Sequence, residues 1–253
     1  MKLSELDSYF RELLPIDLWR EGDYGLNGLQ VGRENQEVGR AAFAVDACME
    51  VFRRSALWKA DLLFVHHGLF WGKVVPVTGP LHDRLRFLLA NDIGLYAVHL
   101  PLDLHPELGN NACLARMLGL EDVRPFGLFK GRAVGYKGRF PEPGKLDRIP
   151  ALLGLDDLRD LTILPFGPEW IRTAGVISGS AHHEIDQAIS EGLDLYVTGE
   201  SSHEMYHTAL EAGISVLCGG HYRTEVWGVQ AMAKRVREDC GLETCFIDVP
   251  TGL

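Results

Sequence analysis

The segment Asp61-Leu-Leu-Phe-Val-His-His67 decides the fold, because a counterpart, Asp194-Leu-Tyr-Val-Thr-Gly-Glu200, occurs later in the chain. The same sequence offset places residues 41–46 on residues 174–179. Each segment begins at an aspartate and contains an apolar run of strand length. Similarity at a fixed offset indicates a repeated structural unit, so we predict that one α/β unit occurs twice. Two unrelated units that resemble each other by chance remain the alternative.

The elements around these segments alternate between strand and helix patterns. In the first half, short apolar runs predict strands at 41–45, 62–65 and 95–98, and helical spacing predicts helices at 47–58 and 81–90. A helix is also expected near the N-terminus, over Leu3 to Leu14, with Ser4 as its cap. The alternation is typical of an α/β sheet that carries helices on its faces.

The repeat also predicts how the chain is divided. We expect a first α/β half at 1–124, a bridging segment at 125–170 and a second α/β half at 171–253, intertwined as one structural unit. The bridging segment contains Pro and Gly but no polar low-complexity run. It is therefore expected to contribute one or two strands over 131–140 and a short helix over 145–155, and not to act as a flexible linker.

Composition excludes several classes of protein. The chain has 253 residues, is 46% hydrophobic and carries a net charge of -10. No apolar run is long enough to span a bilayer, and the N-terminus does not resemble a signal peptide. The five cysteines form no CxxC pair, which favours reduced thiols in a cytoplasmic protein. Without a concentrated basic face, neither a membrane nor a nucleic acid is expected as a partner.

Three motifs place histidines and carboxylates directly after predicted strands. They are His66-His67, His99-Leu-Pro-Leu-Asp103 and His221-Tyr-Arg-Thr-Glu225. Ligands of open α/β sheets bind at the carboxyl ends of strands, and residues spaced i, i+4 share one face of a helix. Taken singly, each motif has a simpler interpretation as a surface histidine pair, the start of a turn or a helix cap. Together they predict a metal site.

A competing motif, His203-Glu-Met-Tyr-His207, matches the HExxH signature of zinc proteases. The extended signature is absent, because Leu210 stands where that signature requires glycine. We therefore expect no protease site here, with His207 facing the ligand crevice and His203 in solvent. Asp46 is interpreted as a helix cap, and the pair His182-His183 as a surface feature.

Six segments, in order, resemble signature motifs of the Nif-three-like dinuclear metal centre family, in its short bacterial form. They are residues 23–31 (DYGLNGLQV), 66–71 (HHGLFW), 99–103 (HLPLD), 107–111 (ELGNN), 198–200 (TGE) and 220–225 (GHYRTE). The resemblance covers nearly the whole chain. It implies a three-layer α/β fold of two related halves and a toroidal homohexamer with metal sites facing an inner cavity. The ligands that it implies are His66, His67, Asp103, His221 and Glu225.

The resemblance and the residue types together predict a function. Histidine and carboxylate ligands suit two divalent ions per chain, drawn from Zn, Fe, Mn, Ni or Co. We expect metal-dependent hydrolysis of a nucleotide or related small molecule, similar to GTP cyclohydrolase I, with His99 or His207 transferring protons. The alternative is a non-catalytic metal chaperone, sensor or scaffold. A histidine binds metal only as a neutral imidazole. Metal affinity should therefore fall as the pH drops through about 6.5, the ordinary pKa of histidine.

Overall fold

The first sheet is built from the apolar runs of the first half. The computed structural model describes residues 1–155 and 161–253, and the chain divides into two compact units. Unit 1 comprises Met1–His105 and Gly228–Val249. Its strands are β1 (Gly28–Val31), β2 (Arg40–Asp46), β3 (Leu62–His67), β4 (Gly94–Ala97) and β11 (Glu243–Phe246), in the sheet order β1-β4-β3-β2-β11. Its helices are α1 (Leu3–Leu13), α2 (Met49–Leu57), α3 (Gly79–Ala90) and α4 (Leu100–Asp103), with a 3-10 helix at Ile16–Trp19.

Residues 62–65 of strand β3 are all apolar because both faces of the sheet are covered there. On one face, Leu63 and Val65 belong to a buried cluster that also contains Phe52 of α2 and Leu88 of α3. On the other face, the ring of Phe64 lies 5.3 Å from that of Phe10 in α1. A strand buried on both faces cannot show the alternation of a half-exposed strand, which explains the continuous apolar pattern.

Unit 2 comprises Pro106–Trp227 and Pro250–Leu253. Its strands are β5 (Glu121–Phe129), β6 (Arg132–Gly144), β7 (Thr162–Pro165), β8 (Ile171–Ile177), β9 (Leu195–Thr198) and β10 (Ser215–Cys218), in the sheet order β5-β6-β8-β9-β10-β7. Its helices are α5 (Asn110–Met117), α6 (Ile149–Leu152), α7 (Ile185–Ser190) and α8 (His203–Ala212), with 3-10 helices at Leu146–Arg148 and His182–Glu184. Helix α9 (His221–Cys240) begins in unit 2 and ends in unit 1.

The two sheets contain the predicted repeat. In unit 1, β2, β3 and β4 are parallel neighbours, and Ala41 pairs with Leu62. In unit 2, β8, β9 and β10 are parallel neighbours, and Ala174 pairs with Leu195, which preserves the same register. In each unit an antiparallel strand, β1 or β7, flanks the last of the three. The α/β class and the two related halves are therefore confirmed.

The aspartates that open the two matching segments have the same structural role. The Oδ2 atom of Asp61 accepts hydrogen bonds from the backbone N–H groups of Gly39 (2.8 Å) and Arg40 (2.9 Å). The Oδ2 atom of Asp194 accepts them from Arg172 (2.7 Å) and Thr173 (3.1 Å). Each aspartate thus ties the start of the second strand to the start of the first. This shared contact explains why both segments begin with the same residue.

Ser4 lies inside α1, whose cap is Lys2, because the Lys2 backbone N–H donates to Glu5 Oε2 at 2.7 Å; the prediction of Ser4 as the cap was wrong. The bridging segment 125–170, of which residues 156–160 lie outside the described residues, supplies strands β6 and β7 and most of β5 to the second sheet. Among the described residues, no helix is both long and apolar enough to cross a membrane.

Candidate metal centre

In unit 1, three histidines and a carboxylate follow the ends of adjacent strands. His66 and His67 are the last residues of β3, His99 precedes α4, and Asp103 ends α4. Ligand atoms of His66, His67 and His99 lie within 4.8 Å of one another. His66 is 0% exposed and Asp103 is 5% exposed, so the strand ends hold polar groups in a place where water does not solvate them. Buried groups of this kind need partners.

The orientation of His66 follows from its two neighbours. Its Nδ1 lies 2.9 Å from the carbonyl oxygen of Val98, and its Nε2 lies 3.5 Å from Asp103 Oδ2. A carbonyl oxygen only accepts hydrogen bonds, so the proton of the neutral imidazole is on Nδ1. The lone pair on Nε2 therefore points toward Asp103, which is the arrangement that a metal ligand requires.

His67 and His99 are held by aspartates in the same way. His67 Nδ1 lies 2.8 Å from Asp46 Oδ1, and His99 Nδ1 lies 2.7 Å from Asp23 Oδ1. The interpretation of Asp46 as a helix cap was wrong, because Cys48 occupies the cap position of α2 and Asp46 faces His67. In all three histidines an acceptor binds Nδ1, which leaves Nε2 to coordinate a metal.

Asp23 is itself anchored by its loop. Its carboxylate accepts hydrogen bonds from the backbone N–H groups of Gly25 (2.8 Å) and Leu100 (3.0 Å) and from the Asn27 amide (2.9 Å). Burial alone would raise the pKa of Asp23, but His99, Asn27 and Gly25 outweigh it and lower that pKa. The carboxylate therefore stays charged and keeps the His99 ring in one orientation.

In unit 2, a second group of ligating side chains forms at the start of α9. The structure begins this helix at His221, so His221 and Glu225 lie on its first turns. His221 Nε2 lies 3.2 Å from Glu225 Oε2, and His221 Nδ1 lies 2.5 Å from Glu200 Oε1. The predicted i, i+4 pair is therefore formed, and Glu200 binds the remaining ring nitrogen.

Two glycines make room for this pair. A Cβ atom on Gly179, whose φ is +65°, would lie 2.3 Å from Glu225 Oε1 and 3.3 Å from His221 Nε2. A Cβ atom on Gly199 would lie 2.9 Å from His221 Cα. Neither position tolerates a side chain without displacing the start of α9. Backbone therefore comes as close to these ligating groups as glycine alone allows.

The charge of His221 depends on its carboxylate neighbours. Burial lowers the pKa of the imidazole, but hydrogen bonds and charges from Glu225 and Glu200 outweigh burial and raise the pKa to about 9. For Glu200 the directions are reversed. Burial raises the pKa of its carboxyl group, but hydrogen bonds from His221 and Ser180 bring that pKa below the ordinary value. In the metal-free protein at neutral pH, His221 is therefore an imidazolium that lies between the carboxylates of Glu200 and Glu225.

This pKa predicts how the stability of the metal-free protein depends on pH. The pKa of about 9 in the folded protein exceeds the ordinary histidine value of 6.5, so the stabilisation is complete below about pH 6.5 and is lost as the pH rises through about 9. The contribution to the free energy of unfolding is on the order of 3 kcal/mol. Thermal unfolding with chelator from pH 6 to 9.5 should show wild type losing this stability and His221→Asn lacking that loss. Parallel profiles would contradict the assigned pKa.

His207 lies in a different environment. With His203 it lines a cavity of about 290 Å³ whose other walls include Thr162, Leu164 and Tyr206. Both histidines are exposed, and neither belongs to a group of three ligating side chains among the described residues.

The rings of His182 and His183 lie 4.2 Å apart, with His183 exposed. The five cysteines are free thiols, as predicted.

The fold and the clustered ligands define an α/β protein whose histidines and carboxylates could hold a metal ion. Comparison with known families supports the family resemblance of the sequence motifs. The model of the Duf34/NIF3 (NGG1p interacting factor 3) family matches residues 1–252. The chain belongs to the Duf34/NIF3 family. The resemblance found in the sequence motifs is therefore confirmed over nearly the full length.

Individual relatives match along their whole length. A Treponema pallidum (strain Nichols) protein named GTP cyclohydrolase 1 type 2 homolog is 41% identical over 286 residues, with 100% of each chain covered. A protein of the same name from Pyrococcus abyssi (strain GE5 / Orsay) is 45% identical over 258 residues, again with 100% of each covered. The crystal structure of TTHA1606 from Thermus thermophilus superposes with a TM-score of 0.91 at 37% identity, with 100% of each chain covered.

Three side chains of the site were not singled out as functional by the sequence motifs: Asp23, Asp46 and Glu200. Each accepts a hydrogen bond from a histidine Nδ1, and each is at least 21 residues away from that histidine in the chain. Asp23 and Glu200 lie in segments that resemble family motifs, which was a usable signal. Asp46 had only its position at a strand end.

Proposed function

We propose that His66, His67, Asp103, His221 and Glu225 bind two divalent metal ions and that the bound ions serve hydrolysis of a nucleotide or a related small molecule. The observation that carries this proposal is that several histidines have the same hydrogen-bonding arrangement. His66 and His67 each present Nε2 while Nδ1 is bound by an acceptor, and His221, whose Nδ1 is bound by Glu200, directs Nε2 toward its fellow ligand Glu225. Metal-binding histidines have this arrangement, because the acceptor fixes both the tautomer and the ring orientation.

The donor set indicates which ions fit. Imidazole nitrogen together with carboxylate oxygen suits Zn, Fe, Mn, Ni and Co, and no cysteine sulfur belongs to the ligating groups found among the described residues. When bound, such ions supply Lewis-acid chemistry, which polarises a substrate oxygen and makes water a stronger acid. The chain supplies the fixed orientation: Asp23, Asp46 and Glu200 keep the imidazoles in place for that chemistry.

The hydrolytic part of the proposal rests on the kind of site and on the relatives. Proteins that share more than 40% identity with this chain carry the name GTP cyclohydrolase 1 type 2 homolog. We propose His99 as the group that transfers protons, because Asp23 holds its Nδ1 and its ring contacts those of His66 and His67. His207 remains a second candidate for this role. The proposed assembly is a toroidal homohexamer, which light scattering of the purified protein would test.

A hydrolase screen tests the enzymatic function directly. Protein loaded in turn with Zn, Mn, Fe, Ni and Co should hydrolyse at least one member of a panel of nucleotides, including GTP. Asp103→Ala should abolish the activity, because it removes a buried carboxylate that faces His66 Nε2. Asp83→Ala, which alters an exposed aspartate of α3, should leave it unchanged. Absence of turnover with every metal would reject the hydrolase.

One observation favours a second candidate function, a non-catalytic metal chaperone, sensor or scaffold. The imidazoles of His66, His67 and His99 belong to one ligating group, and each has its Nδ1 bound. If each Nε2 coordinates metal, none of the three is left to act as a base. A chaperone should exchange its metal within minutes with an external chelator and should turn over none of the substrates. Slow exchange together with turnover would exclude this candidate.

The aspartate behind His67 gives a separate prediction. Asp46→Ala should weaken metal binding by roughly 10–100-fold, because His67 then loses the acceptor that fixes its tautomer. The matched control is Asp83→Ala, which removes an aspartate bound at 3.2 Å to the Nδ1 of an exposed histidine, His82. Titration with a competing chelator dye would measure both variants. Equal affinities for Asp46→Ala and wild type would show that Asp46 has no role in binding.

A further inference from the structure

Trp71 lies against the histidines of unit 1 without belonging to the ligating group. Its ring centroid is 5.1 Å from that of His99, in an edge-to-face arrangement, and 5.8 Å from that of His67. The side chain is nevertheless 39% exposed. A large aromatic ring is thus presented to solvent directly beside the candidate metal ligands, although burial would be the favourable state for it.

The indole is fixed in this position by several contacts. Its Nε1–H donates to the carbonyl oxygen of Gly68 at 3.0 Å. The backbone of Trp71 forms an antiparallel bridge with Gly25, and the Leu26 N–H donates to the carbonyl of Phe70 at 2.9 Å. Because the polar atom of the ring is already bonded to the backbone, Trp71 offers an apolar ring held in a preformed orientation.

Gly25 shows how closely the loops pack to create this surface. A Cβ atom at Gly25 would lie 3.3 Å from His99 Cβ and 3.4 Å from Trp71 Cζ3. The adjoining Tyr24 is 62% exposed, and its Cδ1 would lie 3.9 Å from a Cβ atom at Gly72. Loops 23–27 and 68–72 therefore place the exposed ring of Trp71 beside the histidine group, with the exposed Tyr24 next to Gly72.

We propose that Trp71 is the stacking surface for the base of a nucleotide and so determines specificity for a planar ring. This inference rests on the proposed function and names the part of the substrate that Trp71 would recognise. A nucleotide combines a flat π system, which can stack on a partly exposed indole ring, with phosphate oxygens, which divalent ions accept as ligands. A sugar phosphate without a base would lose the stacking contact and keep the phosphate contact.

Binding of GMP and of ribose 5-phosphate to the Zn-loaded protein tests this role, because the two probes share the sugar phosphate and differ in the base. Wild type and Trp71→Phe should bind GMP at least about 10-fold more tightly than ribose 5-phosphate. The ratio should fall close to one in Trp71→Ala and in Trp71→Leu, the latter keeping an apolar side chain. GMP, but not ribose 5-phosphate, should quench the fluorescence that wild type has in excess of Trp71→Phe.

The matched control is Trp170→Ala, which removes a tryptophan that is 50% exposed and stacked under Lys145, and should keep the wild-type ratio. The metal content and melting temperature of each variant show whether the site and fold survive. No GMP binding by wild type, equal binding of the two probes, or an unchanged ratio in both Trp71→Ala and Trp71→Leu would overturn the stacking role. A ring preference that depends on Trp71, in a protein without hydrolase activity or bound metal, would refute the proposed function alone.

Discussion

Replacing His66 or His221 with alanine is expected to remove at least one metal ion per chain and to lower the melting temperature of the metal-loaded protein by roughly 5–10 °C. The ion stabilises the folded state by about 2.7 kcal/mol at a free concentration 100 times its dissociation constant. In a chain of this length each kcal/mol corresponds to roughly 2–4 °C. Elemental analysis and thermal unfolding, with and without chelator, measure the two effects together.

The comparison with chelator separates metal loss from damage to the fold. His66 is 0% exposed, so His66→Ala also leaves a cavity, whereas His221→Ala removes a partly exposed ring. His183→Ala, at an exposed histidine of the second unit, is the control and should keep the wild-type metal content. Two ions per chain retained by His221→Ala would refute its assignment as a ligand, and the cavity lined by His203 and His207 would be examined next.

Gly179→Ala is expected to weaken metal binding at least about 10-fold although it changes no ligand. The new methyl group would lie 2.3 Å from Glu225 Oε1, and Glu225 is only 3% exposed, so its carboxylate has little room to move away. The φ of +65° adds a cost on the order of 1 kcal/mol for any residue with a Cβ atom. Calorimetric titration with the metal and thermal unfolding of the metal-free protein measure the two contributions.

Gly192→Ala provides the matched control, because Gly192 has a φ of +67° and no atom lies within 4 Å of its hypothetical Cβ. The two variants therefore share the backbone strain, while Gly179→Ala alone has the overlap with the carboxylate. Both should lose similar stability from the strain, and Gly192→Ala should bind metal as wild type does. Equal metal affinities in the two variants would show that the position of Glu225 does not matter for binding.

Local sequence determined the fold class and most of the chemistry-bearing residues. The apolar segments at 62–65 and 195–198 are strands, because few other conformations bury such short runs of residues that favour strands. The constant sequence offset between the two halves reappears in the structure as the same pairing register of their strands. His66, His67, His99 and Asp103 were predicted from their positions after strands, since a strand end in an α/β sheet is also the site of the ligand crevice. The family could be predicted because its signature motifs occur in order along this one chain.

Tertiary structure alone decided how these residues are held and charged. Asp46 is paired with His67 because adjacent parallel strands bring residues 21 positions apart side by side, and strand register is not visible in local composition. The pKa of His221 lies near 9, above the 6.5 assumed from residue type, because Glu200 and Glu225 converge on one ring. Gly179 became important only through its distance from Glu225. Pairwise distances of this kind depend on long-range packing, whereas strand and helix patterns depend on neighbours in sequence.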